Sequence, residues 1–153
     1  MKEQIHLLAR QFHEETVSIR RHLHMHPELS FQEVQTGKYV ADRLKENGIE
    51  YKHGIAGNGL VALIKGKNPK KRVIALRGDM DALPIREANK VSYKSKNEGV
   101  MHACGHDVHT SSLLGTARIL HQLRDQFEGT VMCIFQPGEE KLPGGASIMI
   151  EEG

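Results

Sequence analysis

Two short apolar runs constrain this chain more than any other feature: Val73-Ile74-Ala75-Leu76 and Thr130-Val131-Met132-Cys133-Ile134-Phe135. A strand apolar on both faces belongs inside a sheet with helices laid over it. Between the two runs lies a helical pattern, from about Val108 to Gln126, that puts Leu113, Leu114, Ala117, Leu120 and Leu123 on one face. Strand, helix and strand in that order predict an α/β fold, with helices packed on a mostly parallel or mixed central sheet. The flanking sequence supplies further elements. Apolar residues spaced by three and four predict a helix over 4–23. A second helix follows from Val34 to Glu46, with Val34, Tyr39, Val40 and Leu44 inward and Asn47-Gly48 as its stop. Gly54 to Gly59 reads as a loop leading into a strand over Leu60–Ile64, Lys65 to Arg72 as a turn, residues 86–100 as irregular, and Ala146 to Glu152 as a last helix.

A chain of 153 residues is long enough to bury a real core as one domain. A formal charge of +2 gives no field that implies nucleic acid, and the basic turn Lys65–Arg72 has no interleaved aromatic residues. No apolar run approaches the roughly 20 residues of a membrane helix, and Met1 to His6 lacks the apolar stretch of a signal peptide, so a cytoplasmic protein is expected. Cys104 and Cys133 are read as reduced thiols.

The chemistry is concentrated in Met101-His102-Ala103-Cys104-Gly105-His106-Asp107-Val108-His109-Thr110, which holds three His, one Cys and one Asp. Asp107 is suited to cap the helix that follows, which puts Cys104 and His106 at a helix entrance. Each apolar strand runs into an acidic pair, Asp79/Asp81 after the first and Glu139/Glu140 after the second. Polar residues past the carboxyl end of a buried strand fall where α/β proteins bind ligands; the alternative for the aspartates is a turn. Thiolate, imidazole and carboxylate together suit zinc and its neighbours. Consecutive side chains in extended backbone point opposite ways, so one glutamate can bind a metal while the other takes a proton from metal-activated water, a pattern that fits hydrolysis. His22, His24 and His26 alternate at the end of the first helix, but Pro27 breaks any shared geometry, and they read as surface or packing groups.

Four segments, Arg20-Arg21-His22-Leu23-His24-Met25-His26-Pro27-Glu28-Leu29-Ser30, Leu76-Arg77-Gly78-Asp79-Met80-Asp81-Ala82-Leu83-Pro84, Met101 to His109 and Phe135-Gln136-Pro137-Gly138-Glu139-Glu140, together resemble the successive motifs of the metal-dependent amidohydrolase family of hippurate hydrolase, N-acyl-amino acid amidohydrolase and indole-acetyl-amino acid hydrolase. The resemblance implies the catalytic domain of a di-metal exopeptidase-like fold, two divalent metal ions per complete site (zinc, manganese, nickel or cobalt) and hydrolysis of the amide of a small N-acyl amino acid. It assigns Cys104, His106 and Glu140 as metal ligands, Glu139 as general base and Asp81 as the acid that supports the site behind a metal-bound His. Asp79 stands where related peptidases place a His ligand, and His102, His109 and Asp107 are left as structural.

Family members are about two and a half times this long and add a lid and dimerisation domain. Residues 1–153 are therefore expected to form the N-terminal part of a catalytic domain. That piece lacks two further His ligands and is inactive or weakly active alone, while the full-length protein can dimerise. Two rival readings remain: a non-catalytic binding or subunit module, and a cysteine hydrolase using Cys104 with His106 or His109.

Overall fold

The computed structural model describes residues 1–153. In chain order the elements are α1 (Lys2–Met25), α2 (Val34–Glu46), β1 (Glu50–Ile55), β2 (Gly59–Lys65), β3 (Val73–Asp79), α3 (His106–Gln122), β4 (Thr130–Gln136) and α4 (Gly145–Glu151). The strands form one mixed sheet in the order β1-β2-β4-β3, antiparallel across β1, β2 and β4 and parallel between β4 and β3. This is the expected α/β architecture, and α2 has the predicted bounds.

Alternation sorts each strand into two faces. Leu60, Ala62 and Ile64 of β2 and Cys133 and Phe135 of β4 are each 0% exposed and meet Leu23, Val40, Leu44, Leu113, Leu114 and Ala117 of the helices, so the core lies on one side of the sheet. The opposite face carries the register partners Val61 with Ile134 and Leu63 with Met132, together with Met149 and Ile150 of α4. These residues line a cavity of about 500 Å³, to which Asp81, Cys104, His106, Glu139 and Glu140 contribute nothing.

Several expectations are corrected. Strand β3 is an edge strand rather than an interior one, and Val73 and Ile74 are 60% and 47% exposed, because it has a neighbour only in β4. Strand β1 was missed: it is an outer, mostly exposed strand whose Glu50, Lys52 and His53 give no apolar signal. Val34, expected inward, opens α2 facing solvent. Asp107 is not the cap of α3. The N-cap is Gly105, whose φ of 89° needs a residue without a side chain, and Asp107 is buried within the first turn.

Candidate metal centre

Parallel pairing of β3 with β4 sets Asp79 opposite Gln136, so the two acidic pairs leave the sheet side by side. The Met80 N–H donates to Gln136 O at 2.9 Å, prolonging the pairing by one residue. The third segment arrives through a bridge between Leu83 and Met101 and then turns at Gly105 into α3. The Thr110 hydroxyl donates to Asp79 O at 2.7 Å, which fastens the first turns of α3 to the end of β3. Convergence of these strand ends with the Cys-Gly-His turn was legible in the sequence and follows from the topology.

Asp81 is the hub. It is 1% exposed, and its Oδ2 accepts from the Ser30 hydroxyl at 2.7 Å and from the Glu140 N–H at 2.9 Å. On its other side His106 Nδ1 lies 3.1 Å from Oδ1 and 2.9 Å from the Asp81 carbonyl oxygen. Burial pushes the Asp81 carboxyl up, but the bonds from His106, Glu140 and Ser30 outweigh it and hold the group at about 2. Burial pulls the His106 imidazole down, and Asp81 more than reverses this, leaving it raised.

With Nδ1 so occupied, Nε2 of His106 faces the site, 3.9 Å from both Glu139 Oε2 and Glu140 Oε1. Cys104, His106 and Glu140 each offer a ligand atom, all within 4.8 Å of one another, and Asp79, His106 and His109 form a second such group. An imidazole nitrogen has one lone pair, so the two groups compete for His106 Nε2 and are not two independent sites. The first group has the softer donor set, thiol with imidazole and carboxylate, and fits a zinc-like ion. Cys104 is exposed, and its contact with Glu140, followed by burial and the charges of Glu140 and Glu139, raises its thiol pKa. That is the opposite of an activated nucleophile and weighs against the cysteine-hydrolase reading.

Beside Glu140 a groove of about 320 Å³ runs between Leu29, Ser30, Ala82, Leu83 and Pro84. Leu29 and Ser30 build one side of this groove, and Glu28 ties their segment to the residues opposite. The Ala82 N–H donates to Glu28 O at 2.8 Å, while the Glu28 carboxylate accepts from the Gln35 and Thr36 N–H groups at the start of α2.

The histidines divide by environment. His24 is 3% exposed, with Nδ1 2.7 Å from Asp107 Oδ2 and Nε2 3.0 Å from Glu87 Oε1, while Arg20 Nε lies 2.9 Å from the same Asp107 oxygen. This buried ionic network joins α1, α3 and the 86–100 loop. His22 and His26 lie beside one another, with His22 stacked on Tyr39. His22 and His26 thus fit the reading as surface or packing groups, whereas His24 is a buried hydrogen-bonding group, and no spacing rule singles out Asp107 or Glu87 as its partners. His102 is buried without a hydrogen-bond partner, and burial pushes it down to about 4.

Residues 75–153 match the sequence profile of peptidase family M20/M25/M40, a match that takes in Asp81, Cys104, His106, Glu139 and Glu140. The chain belongs to this family. An N-acyl-L-amino acid amidohydrolase of Geobacillus stearothermophilus is 47% identical to this M20/M25/M40 member over 152 residues, 99% of this chain and 41% of its own length. A hippurate hydrolase of Campylobacter jejuni is 50% identical over 135 residues, 88% of this chain and 34% of its own length. The chain thus spans well under half of these relatives. A crystal structure of a dinuclear metal-binding M20 peptidase of Bacillus subtilis superposes with a TM-score of 0.85 at 48% identity, covering 93% of this chain and 40% of that one.

Proposed function

We propose that this chain carries the metal-binding and proton-transfer residues of an amidohydrolase acting on the amide bond of small N-acyl amino acids. The observation that carries the reading is the meeting of Cys104, His106 and Glu140 within 4.8 Å, with Glu139 beside them at the ends of two parallel strands. Family membership and the named relatives support the reaction class.

In this reading Cys104, His106 and Glu140 hold a divalent ion, and zinc suits the thiolate best, with manganese, nickel and cobalt as the alternatives. When bound, the ion supplies Lewis acidity and lowers the pKa of water. The chain's own residues do the rest. Asp81 fixes His106 with its proton on Nδ1 and its lone pair on Nε2. The Glu139 carboxylate, 37% exposed with Oε2 3.9 Å from Nε2, takes the proton of the attacking water, then passes it to the departing amine. The groove beside Glu140 offers Leu29, Ala82 and Leu83 as an apolar wall for part of the substrate. Three donors make one open metal position, and two closed positions need further donors. The 153-residue chain alone is therefore expected to take up one ion and turn over weakly.

The test is titration of the chain with zinc or cobalt, with C104S, H106A and E140A as controls, alongside release of amino acid from hippurate and N-acetyl amino acids with and without EDTA. Metal binding that is unaltered by all three substitutions sinks the reading. Binding without any turnover favours the non-catalytic module instead.

A further inference from the structure

Glu33 is 0% exposed, yet its carboxylate is not used by the helix it precedes. Glu33 is the N-cap of α2 by position, but its side chain makes no capping bond; the open N–H groups of Gln35 and Thr36 are taken by Glu28 at 3.1 and 2.7 Å. The Glu33 carboxylate instead crosses to the turn after β4, where Oε1 accepts the Gly138 N–H at 2.7 Å. Its Oε2 lies 3.5 Å from Asn58 Nδ2 in the β1–β2 connection.

Gly138 is held from its other side as well. Its φ is 58°, and a Cβ there would lie 2.4 Å from the Phe31 ring. Two residues on, the Glu140 N–H is held by Asp81. The turn that carries Glu139 and Glu140 is therefore pinned at both ends by buried carboxylates, Glu33 at Gly138 and Asp81 at Glu140. A buried carboxylate is costly to retain, and this one makes its shortest side-chain bond to the backbone of the candidate catalytic turn.

We propose that Glu33 is a positioning residue that sets the reach of Glu139 and Glu140 through the Gly138 amide. The inference rests on the metal-hydrolase reading for its consequence but not for its geometry. A shift of about 1 Å in a supporting group is enough to disturb a metal or catalytic constellation.

The test compares wild type, E33Q, E33D and E33A of this chain. Amide hydrogen exchange is followed at Gly138 and Glu140 in metal-free protein, and cobalt(II) affinity is read from the thiolate-to-cobalt absorption band. In E33A, exchange at Gly138 should rise about tenfold or more while Cys133 and Phe135 of β4 stay protected. Cobalt affinity should fall about tenfold or more, the range for loss of a supporting group. E33Q, which keeps a side-chain oxygen acceptor, should recover both, and E33D, with the acceptor drawn back, should lie between; these two carry the comparison if E33A does not fold. Unchanged exchange at Gly138 overturns the clasp. Raised exchange with unchanged cobalt affinity reduces Glu33 to a fold contact and overturns positioning while leaving the metal reading intact. Absence of cobalt binding in wild type overturns both.

Discussion

Replacing Asp81 by Asn keeps the volume of the side chain and breaks its logic. Three donors converge on the buried carboxylate, from Ser30, Glu140 and His106. If the new amide nitrogen takes the Oδ2 place, Ser30 can rotate to accept but the Glu140 N–H cannot. If it takes the Oδ1 place it meets His106 Nδ1, and relief requires the proton to move to Nε2, the nitrogen that faces Glu139 and Glu140. The first choice strands a buried donor, about 1–3 kcal/mol, the second drives the His106 proton to the wrong nitrogen, and both remove bonds to an ionised acceptor; a total near 3 kcal/mol is expected. For a domain of this size that lowers Tm by about 6–12 °C. Metal affinity should fall about 10–100-fold. The pH dependence has a definite sign. The folded pKa of about 2 lies below the ordinary 3.8, so ionised Asp81 stabilises the metal-free fold fully above the ordinary value. That contribution, about 2 kcal/mol, is lost as pH falls through about 2. Wild type should therefore lose its advantage over D81N on the acid side. Calorimetry in EDTA across pH, with zinc titration at neutral pH, measures both effects. A D81N protein with wild-type Tm and zinc affinity refutes the hub assignment.

Further outcomes follow from the same contacts. D107A removes the hydrogen-bond partner of buried His24 and the counter-charge of half-buried Arg20, and should cost about 1–3 kcal/mol in urea unfolding; a loss under about 0.5 kcal/mol would show the network to be dispensable. In G145A the new Cβ would fall 1.7 Å from Pro137 O, so α4 should be displaced and be cut early in limited proteolysis, whereas a wild-type digestion pattern contradicts that. Iodoacetamide should label Cys104 in the native protein and spare Cys133, which is 0% exposed with its thiol pushed up to about 11, and zinc should protect Cys104; equal labelling of both thiols fails the prediction.

How far the sequence could be read depended on the kind of signal. The β3–α3–β4 unit was legible because continuous apolar runs and an amphipathic helix leave little choice, and with it came the meeting of Asp79/Asp81 and Glu139/Glu140. The edge position of β3 was not, since Val73–Leu76 has the same composition whether or not a neighbour covers it. Strand β1 was invisible because a mostly exposed strand carries polar residues on both faces. Asp107 satisfied the local pattern of a cap, but a tertiary demand from His24 and Arg20 took its carboxylate. Glu33, Ser30 and Glu87 could not be found by spacing, because each partners a residue at least 51 positions away.

The adjacent glutamates offer the sharpest separation of roles. Glu140 has its N–H on Asp81 and its carboxylate within reach of Cys104 and His106, while the Glu139 carboxylate, 37% exposed, belongs to neither candidate ligand group. A ligand that binds only the folded state raises stability by mass action, about 2.7 kcal/mol at one hundred times its Kd. Zinc should therefore raise Tm by about 5–11 °C at that excess in wild type. The same rise should persist in E139Q, whose loss is confined to proton transfer, and should largely disappear in E140Q. Differential scanning calorimetry with and without zinc reads the difference directly. If E139Q loses the zinc-dependent rise as completely as E140Q, the division of base and ligand between residues 139 and 140 is wrong, whichever of them holds the metal.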